Sequence, residues 1–229
     1  AQIDRIKVMD HGPTATAYLV RSADEVSRIA ALLGDDDAAR TYGELAAEAR
    51  EAWQREFLAP FDRPIASIVV ATSKAEKDWL PQRWAAICDA LRHDFGLQPV
   101  LVGGRSPREL HAEQVIMARA RHKPVSALGS GLRKLAAIMD GSALVLSPDT
   151  GPLHMSVALD RPVVSMIGYS NPKRVGPYRK FHDLMIDVYG DPGEDYPISM
   201  ESRPGRMSRI SVEMVLDKVR VWEERYRGL

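Results

Sequence analysis

From Pro64 onward the chain alternates short apolar runs with longer stretches of helical periodicity, and no other feature limits its possible folds so tightly. Ile65–Ala71 reads as a strand and Gln82–Phe95 as a helix that follows Pro81. Gln98–Val102, Val125–Leu128, Ala143–Leu146 and Pro162–Ile167 read as further strands. Helical spacing covers Pro107–Arg121, Leu132–Met139 and a segment opening at or near Gly151. Leu184–Val188 is a candidate sixth strand, and Val212–Tyr226 a long terminal helix. Alternation of this kind predicts the α/β class, a doubly wound parallel Rossmann-like sheet with helices on both faces. In such sheets ligands lie outside the carboxyl ends of the strands, near the point where strand order reverses. The turns after the strands are therefore where functional side chains belong.

The opening residues read differently. His11-Gly-Pro13 signals a turn and Thr14–Val20 a short extended segment. Ser22 with Glu25 three residues on resembles a capping box, predicting a helix to Leu33 that Gly34 stops. Asp35-Asp-Asp37 introduces a second helix to about Phe57, with Leu45, Ala49, Ala52 and Trp53 on one face. Pro60 and Pro64 bracket a loop. The expected organisation is linker helices over residues 1–62 and a Rossmann-like domain over 63–229. Asp191–Gly205, with its Pro and Gly, reads as a surface loop.

Composition narrows the function classes. Lys+Arg and Asp+Glu are both 31, a balance that argues against general nucleic-acid binding while allowing a local basic pocket. The single Cys88 lies in an apolar helical pattern, which points to core packing and a cytosolic chain. No Cys/His cluster has metal-ligand spacing, and no apolar run is long enough to span a bilayer.

Ser147-Pro-Asp-Thr-Gly-Pro-Leu-His154 carries the strongest signal. A strand ending in an Asp-Thr-Gly turn and feeding a helix presents free backbone N–H groups and a positive dipole end, which suits a phosphate or pyrophosphate. Gly151 lets the backbone approach an anion, Thr150 adds a hydroxyl, and Pro152 fits the first turn. The competing reading makes Asp149 or Thr150 a plain helix cap and His154 an ordinary satisfied histidine.

Other strand ends offer further candidates. In Ala71-Thr-Ser-Lys-Ala-Glu-Lys-Asp-Trp79, the hydroxyls of Thr72 and Ser73 with Lys74 and Lys77 can cradle a diphosphate, or form a solvated loop. Lys77 and Trp79 are expected on opposite sides of an extended backbone, with Trp79 and Trp84 as packing residues. In Val102-Gly-Gly-Arg-Ser-Pro-Arg-Glu109, Gly103 and Gly104 permit a tight turn, and Glu109 can accept from ribose hydroxyls or cap the helix. Leu128-Gly-Ser-Gly-Leu132 offers backbone groups to a purine edge or is a simple helix entry. Gly168–Tyr178, with Ser170, Lys173 and Arg174, lines a ligand or forms a structural turn. Neither a GxGxxG fingerprint, a Walker loop nor a Ser/His/Asp arrangement is present.

Together, Ser147–His154, Ala158-Leu-Asp-Arg-Pro-Val-Val164, Gly168-Tyr-Ser-Asn-Pro172 and Gly176-Pro-Tyr178 resemble the ADP-heptose-dependent lipopolysaccharide heptosyltransferases, glycosyltransferase family nine. The similarity covers roughly Pro64 to Tyr178. Ser170 stands where the family often has Thr, and Tyr169 where it often has proline. The resemblance implies the C-terminal, donor-binding domain of a GT-B fold. Thr72, Ser73, Lys77, Gly103, Glu109, Asp149, Thr150, Gly151 and His154 would bind the substrate, with Lys77 and Asp149 serving catalysis through charge stabilisation. It implies no cofactor beyond a nucleotide-sugar substrate, ADP-heptose, and an inverting transfer to a lipid-linked oligosaccharide acceptor. The expected setting is the cytoplasm, peripheral to the inner face of the bacterial inner membrane. The base-bearing N-terminal domain is not recognisable in residues 1–60, so the chain is expected to be part of a longer enzyme. The alternative expectation is a non-catalytic nucleotide-binding or interaction module.

Overall fold

The computed structural model describes residues 12–57 and 61–228, with side chains described over 19–52 and 61–228. His11 and Pro60, to which turn and loop expectations attach, lie outside the described residues, as does the side chain of Trp53. The chain divides into two compact units, one comprising residues 1–60 with 132–141, the other residues 61–131 with 142–229.

In the first unit, helix α1 (Gly12–Leu32) and helix α2 (Asp36–Phe57) pack together, joined by Leu33-Gly34-Asp35. Gly34 takes a positive φ of 76°, which breaks the helix, and Asp35 Oδ1 accepts from Ala38 N at 3.0 Å to start the next. The seam is built of small residues, with Ala23, Ala30, Ala46 and Ala49 buried. A Cβ on Gly43 would lie 3.2 Å from Ser27 Oγ, so the two backbones approach closely. Leu45 and Ala52 are only half-buried. Two expectations are corrected here. Thr14–Val20 is helical, not extended, and Ser22 lies within α1 instead of capping it. With no Pro or Gly between Thr14 and Leu33, nothing interrupts a helix once begun, and propagation outweighs a local cap signal. Helix α5 (Leu132–Asp140) belongs to this unit and packs on α1.

The second unit is a parallel sheet of six strands among the described residues: β1 (Ile65–Val69), β2 (Gln98–Val102), β3 (Val125–Ser126), β4 (Ser142–Pro148), β5 (Val163–Ile167) and β6 (Ile186–Asp187). Their order is β3-β2-β1-β4-β5-β6, all parallel. This is the Rossmann order, and it reverses between β1 and β4. β1 and β5 are buried at every position, as strands covered on both faces must be. Ser67 and Ser142 pair their hydroxyls at 2.7 Å, satisfying two polar groups inside that core.

Helices α3 (Pro81–His93), α4 (Pro107–Arg119) and α6 (Gly151–Ala158) connect the strands. Right-handed crossovers running outward in opposite directions from β1 and β4 place α3 and α4 on one face and α6 on the other. α3 buries Trp84, Ile87, Cys88 and Leu91, the i, i+3, i+4, i+7 spacing of one helical face. Beyond β5 come the short helix α7 (Pro172–Val175) and the terminal helix α8 (Val212–Arg225). Ser211 accepts from Met214 N to cap α8, and the buried Trp222 donates from Nε1 to Ala143 O at 2.9 Å, pinning α8 to the start of β4.

The 191–205 segment lacks regular structure, as expected, yet it is firmly tied. Arg203 forks onto Glu194 at 2.7 and 2.8 Å, Asn171 Nδ2 donates to Pro197 O at 2.7 Å, and the Tyr196 ring is buried.

Candidate active site at the sheet switch point

β1 and β4 are neighbours at the reversal, so the turns after them face one another across the crevice. The turn after β1 runs from Thr72 to Asp78 and ends in a single 3-10 turn, Ala75–Lys77. Lys77 therefore leaves from a tight turn and not from extended backbone, where residues two apart such as Lys77 and Trp79 would share one side, and this corrects the expected placement on opposite sides. Trp79 anchors the turn as expected of a packing residue. It is buried, its Nε1 donates to Ile210 O at 3.0 Å, and its ring meets Trp84 edge-on at 4.7 Å. Arg83 donates to the same Ile210 carbonyl and to Ser208 O.

The turn after β4 delivers Asp149, whose buried carboxylate accepts from Lys77 Nζ at 2.6 Å. His154, one turn into α6 and more than half exposed, brings Nε2 to 4.0 Å from the other Asp149 oxygen. Thr150 occupies the N-cap position of α6 but makes no side-chain cap bond, leaving its hydroxyl uncommitted there. A Cβ on Gly151 would meet nothing within 4 Å, so the first turn of α6 opens onto free space. Helix-end N–H groups, an ammonium and a hydroxyl thus meet at one edge, an arrangement that accepts an anion.

The turn after β5 adds an aromatic. Lys74 Nζ and Lys77 Nζ lie 5.6 and 5.9 Å from the centroid of the Tyr169 ring, within cation–π range. Tyr169 thus draws two lysines of the β1 turn to one place, a role that sequence reasoning did not give it.

Thr72 and Ser73 open the β1 turn. The Thr72 hydroxyl donates to Lys74 O at 2.7 Å and accepts from Lys74 N at 3.2 Å, so it shapes the turn itself. Ser73 is exposed. One strand over, Glu109 completes a capping box for α4, accepting from Gly104 N at 2.6 Å and Ser106 N at 2.8 Å. Burial works to raise its pKa, but hydrogen bonds from Ser106 and Gly104 prevail and hold it below the ordinary glutamate value. Glycine suits position 103, where φ is 149° and a Cβ would fall 2.8 Å from the capping Glu109 Oε1. Glu109 therefore acts first as the cap that fixes the Gly103-Gly104 turn.

Two further segments make contacts within the fold. Lys173 donates to Asp195 at 3.0 Å and Tyr196 O at 2.6 Å, holding the 191–205 segment. Beside Leu128, a Cβ on Gly129 would collide with the Arg105 side chain, whose stem covers that turn.

Asp78 and Arg108 are site-bracing residues that the sequence did not disclose. Asp78 Oδ1 accepts from Thr72 N at 2.6 Å, Arg108 Nη1 donates to Asp78 Oδ2 at 2.8 Å, and Arg108 Nη2 donates to Thr72 O at 2.9 Å. Among the described residues no group of three or more His, Cys, Asp or Glu is placed to hold a metal, and no helix is long and apolar enough to cross a membrane.

A Rossmann-ordered sheet with a polar crevice at its switch point defines a doubly wound α/β domain, a class whose ligands lie at that crevice. The model of glycosyltransferase family 9 (heptosyltransferase) matches residues 24–188, and the chain belongs to that family. It is 30% identical over 170 residues to the lipopolysaccharide core heptosyltransferase OpsX of Haemophilus influenzae, covering 70% of this chain and 48% of that protein. It is 29% identical over 110 residues to lipopolysaccharide heptosyltransferase 1 of Escherichia coli K12, covering 48% and 34%. Among solved structures, a family 9 glycosyl transferase from Veillonella parvula superimposes with a TM-score of 0.63 at 26% identity, covering 74% of this chain and 51% of that one. The E. coli heptosyltransferase WaaC with ADP shares the fold, with a TM-score of 0.53 at 20% identity, covering 84% and 57%. The chain spans about half the length, or less, of the curated relatives it matches.

Proposed function

We propose that this chain forms the donor-binding domain of a heptosyltransferase that transfers heptose from ADP-heptose to the lipopolysaccharide core or a related envelope glycan. The observation that carries this reading is the Lys77–Asp149 pair at the β1/β4 reversal, 2.6 Å long and bordered by the open first turn of α6. Membership of family 9 supports the sugar, and the ADP in the WaaC structure supports the base.

In this reading the donor diphosphate lies over the Thr150-Gly151 turn, where backbone N–H groups and the helix dipole receive it. Lys77 contributes a point charge that strengthens as negative charge develops on the departing diphosphate, which is electrostatic catalysis. Asp149 holds the ammonium in place, and Thr150 and His154 line the same edge. Transfer inverts the anomeric centre, with acceptor activation by a carboxylate of an N-terminal domain and the lipid-linked acceptor approaching from that side. The setting is cytoplasmic, peripheral to the inner membrane.

Calorimetric titration with ADP, UDP and GDP, repeated on Lys77→Ala and Thr150→Ala, tests this. Preference for ADP is expected, with Lys77→Ala weakening binding about tenfold or more, as loss of a charge-assisted contact should. Preference for UDP would keep a glycosyltransferase and discard ADP-heptose. Full ADP affinity in both variants would move the diphosphate away from this crevice.

A further inference from the structure

The amine of Lys77 comes from a turn of seven residues, Thr72 to Asp78, and the two ends of that turn are clamped together by Asp78 and Arg108. Asp78 receives the Thr72 N–H on one carboxylate oxygen and Arg108 on the other, while the second arm of the Arg108 fork takes the Thr72 carbonyl. The backbone N–H and C=O of a single residue are thus fixed by a carboxylate from the far end of the turn and a guanidinium from α4. The three bonds run 2.6, 2.8 and 2.9 Å.

We propose that Arg108 and Asp78 are positioning residues for Lys77, closing the β1 turn into a rigid ring that aims its ammonium at the β4 turn. This deepens the donor-site reading and rests on it only where nucleotide affinity is concerned. The geometry favours a positioning task over a general structural one for three reasons. The planar Arg108 fork holds a carboxylate and a carbonyl in one fixed relative geometry, which a flexible ammonium does not. Asp78 separates Lys77 from the buried Trp79 anchor, so the lysine is held between two fixed points. The turn itself offers little hold beyond the Thr72 hydroxyl bonds and the 3-10 turn that contains Lys77. Arg108 does not approach the crevice as a ligand does, because both of its donors in this network face the turn's own backbone and Asp78.

The test is made on the 229-residue chain with Arg108→Met, which keeps the stem, Arg108→Lys, which keeps the charge without the fork, and Arg108→Met/Asp78→Asn, which removes both charges together. The first readout needs no nucleotide: acetylation of lysines by an amine-reactive reagent, followed by mass spectrometry. Release of Lys77 from Asp149 is expected to raise its acetylation about threefold or more in every variant, while the exposed Lys134 is unchanged. Unchanged Lys77 reactivity in variants that melt like the wild type would overturn the proposal. The second readout is ADP affinity, expected to fall about tenfold in Arg108→Met and to fall no further when Arg108→Met is added to Lys77→Ala. Equal losses in both backgrounds would overturn it, because Arg108 would then act independently of Lys77. A wild-type chain that binds no nucleotide but shows the acetylation change would sink the donor-site reading and leave the positioning role standing.

Discussion

Lys77 and Asp149 lie 72 residues apart in sequence and 2.6 Å apart in space, and their contact joins the turns of β1 and β4 where the sheet reverses. The pair is unequally exposed, with 18% of the lysine side chain and 8% of the aspartate side chain accessible. Removing the lysine therefore strands a buried carboxylate, whereas removing the aspartate frees an amine that can turn to water. Lys77→Ala is expected to cost about 1–3 kcal/mol of stability, and Asp149→Asn less. Urea unfolding of both single variants and the double variant measures this. A Lys77→Ala variant as stable as the wild type would mean that the pair contributes no net stability.

Gly151 separates folding from ligand approach. Its backbone does not need a positive φ, and a Cβ there meets nothing within 4 Å. Gly151→Ala should leave stability unchanged or raise it by up to about 1 kcal/mol by restricting the unfolded chain. If a diphosphate rests on this turn, the added methyl occupies its place, and ADP affinity should drop about tenfold or more. Thermal melting and calorimetry on one sample decide it. Unaltered affinity would exclude close approach of the anion to Gly151.

The strands and the two main turns were legible because their signals are local. Apolar runs of strand length flanked by Gly and Pro mark β1, β2, β4 and β5, and Asp149-Thr150-Gly151 sits directly between a strand and a helix. The start of α1 was not legible, since Ser22 and Glu25 form a cap pattern that the helix simply runs through. Arg108 was equally hidden. It is one of many arginines in the chain, and its meaning appears only when parallel pairing brings the β2 and β1 ends side by side. Tyr169 was visible as a departure from its family, but nothing in the sequence says that two lysines would converge on it.

Cys88 offers an internal gauge of unfolding. It is fully buried on the core face of α3, and burial, with the Asp89 charge adding to it, pushes its thiol up to about 12. Near neutral pH it should resist alkylation in the folded protein and react only when α3 opens. Its labelling rate should therefore rise with urea along the unfolding curve. Rapid labelling in the absence of denaturant would show that α3 leaves the sheet without global unfolding.

Glu194 provides a pH-dependent contribution whose sign is fixed by its partners. Two N–H groups of Arg203 and the backbone N–H of Asp191 donate to its carboxylate, with the Arg203 bonds as the main cause, and lower its pKa from 4.5 to about 2. A carboxyl whose pKa is lowered by folding stabilises the native state above its unfolded value and loses that contribution as pH falls through the folded one. The stability difference between wild type and Glu194→Gln should therefore be complete above pH 4.5 and shrink steadily toward about pH 2. Melting curves at about pH 7, about pH 4 and about pH 3 would trace it. Because Arg203 also stacks on the Tyr189 ring at 4.4 Å and donates to Tyr189 O, it should keep its place when Glu194 is neutralised. The effect would then report the carboxylate and not a collapse of the 191–205 segment. A difference that stays constant down to pH 3 would instead assign the loss to packing, and the Glu194–Arg203 pair would carry no charge-linked stability.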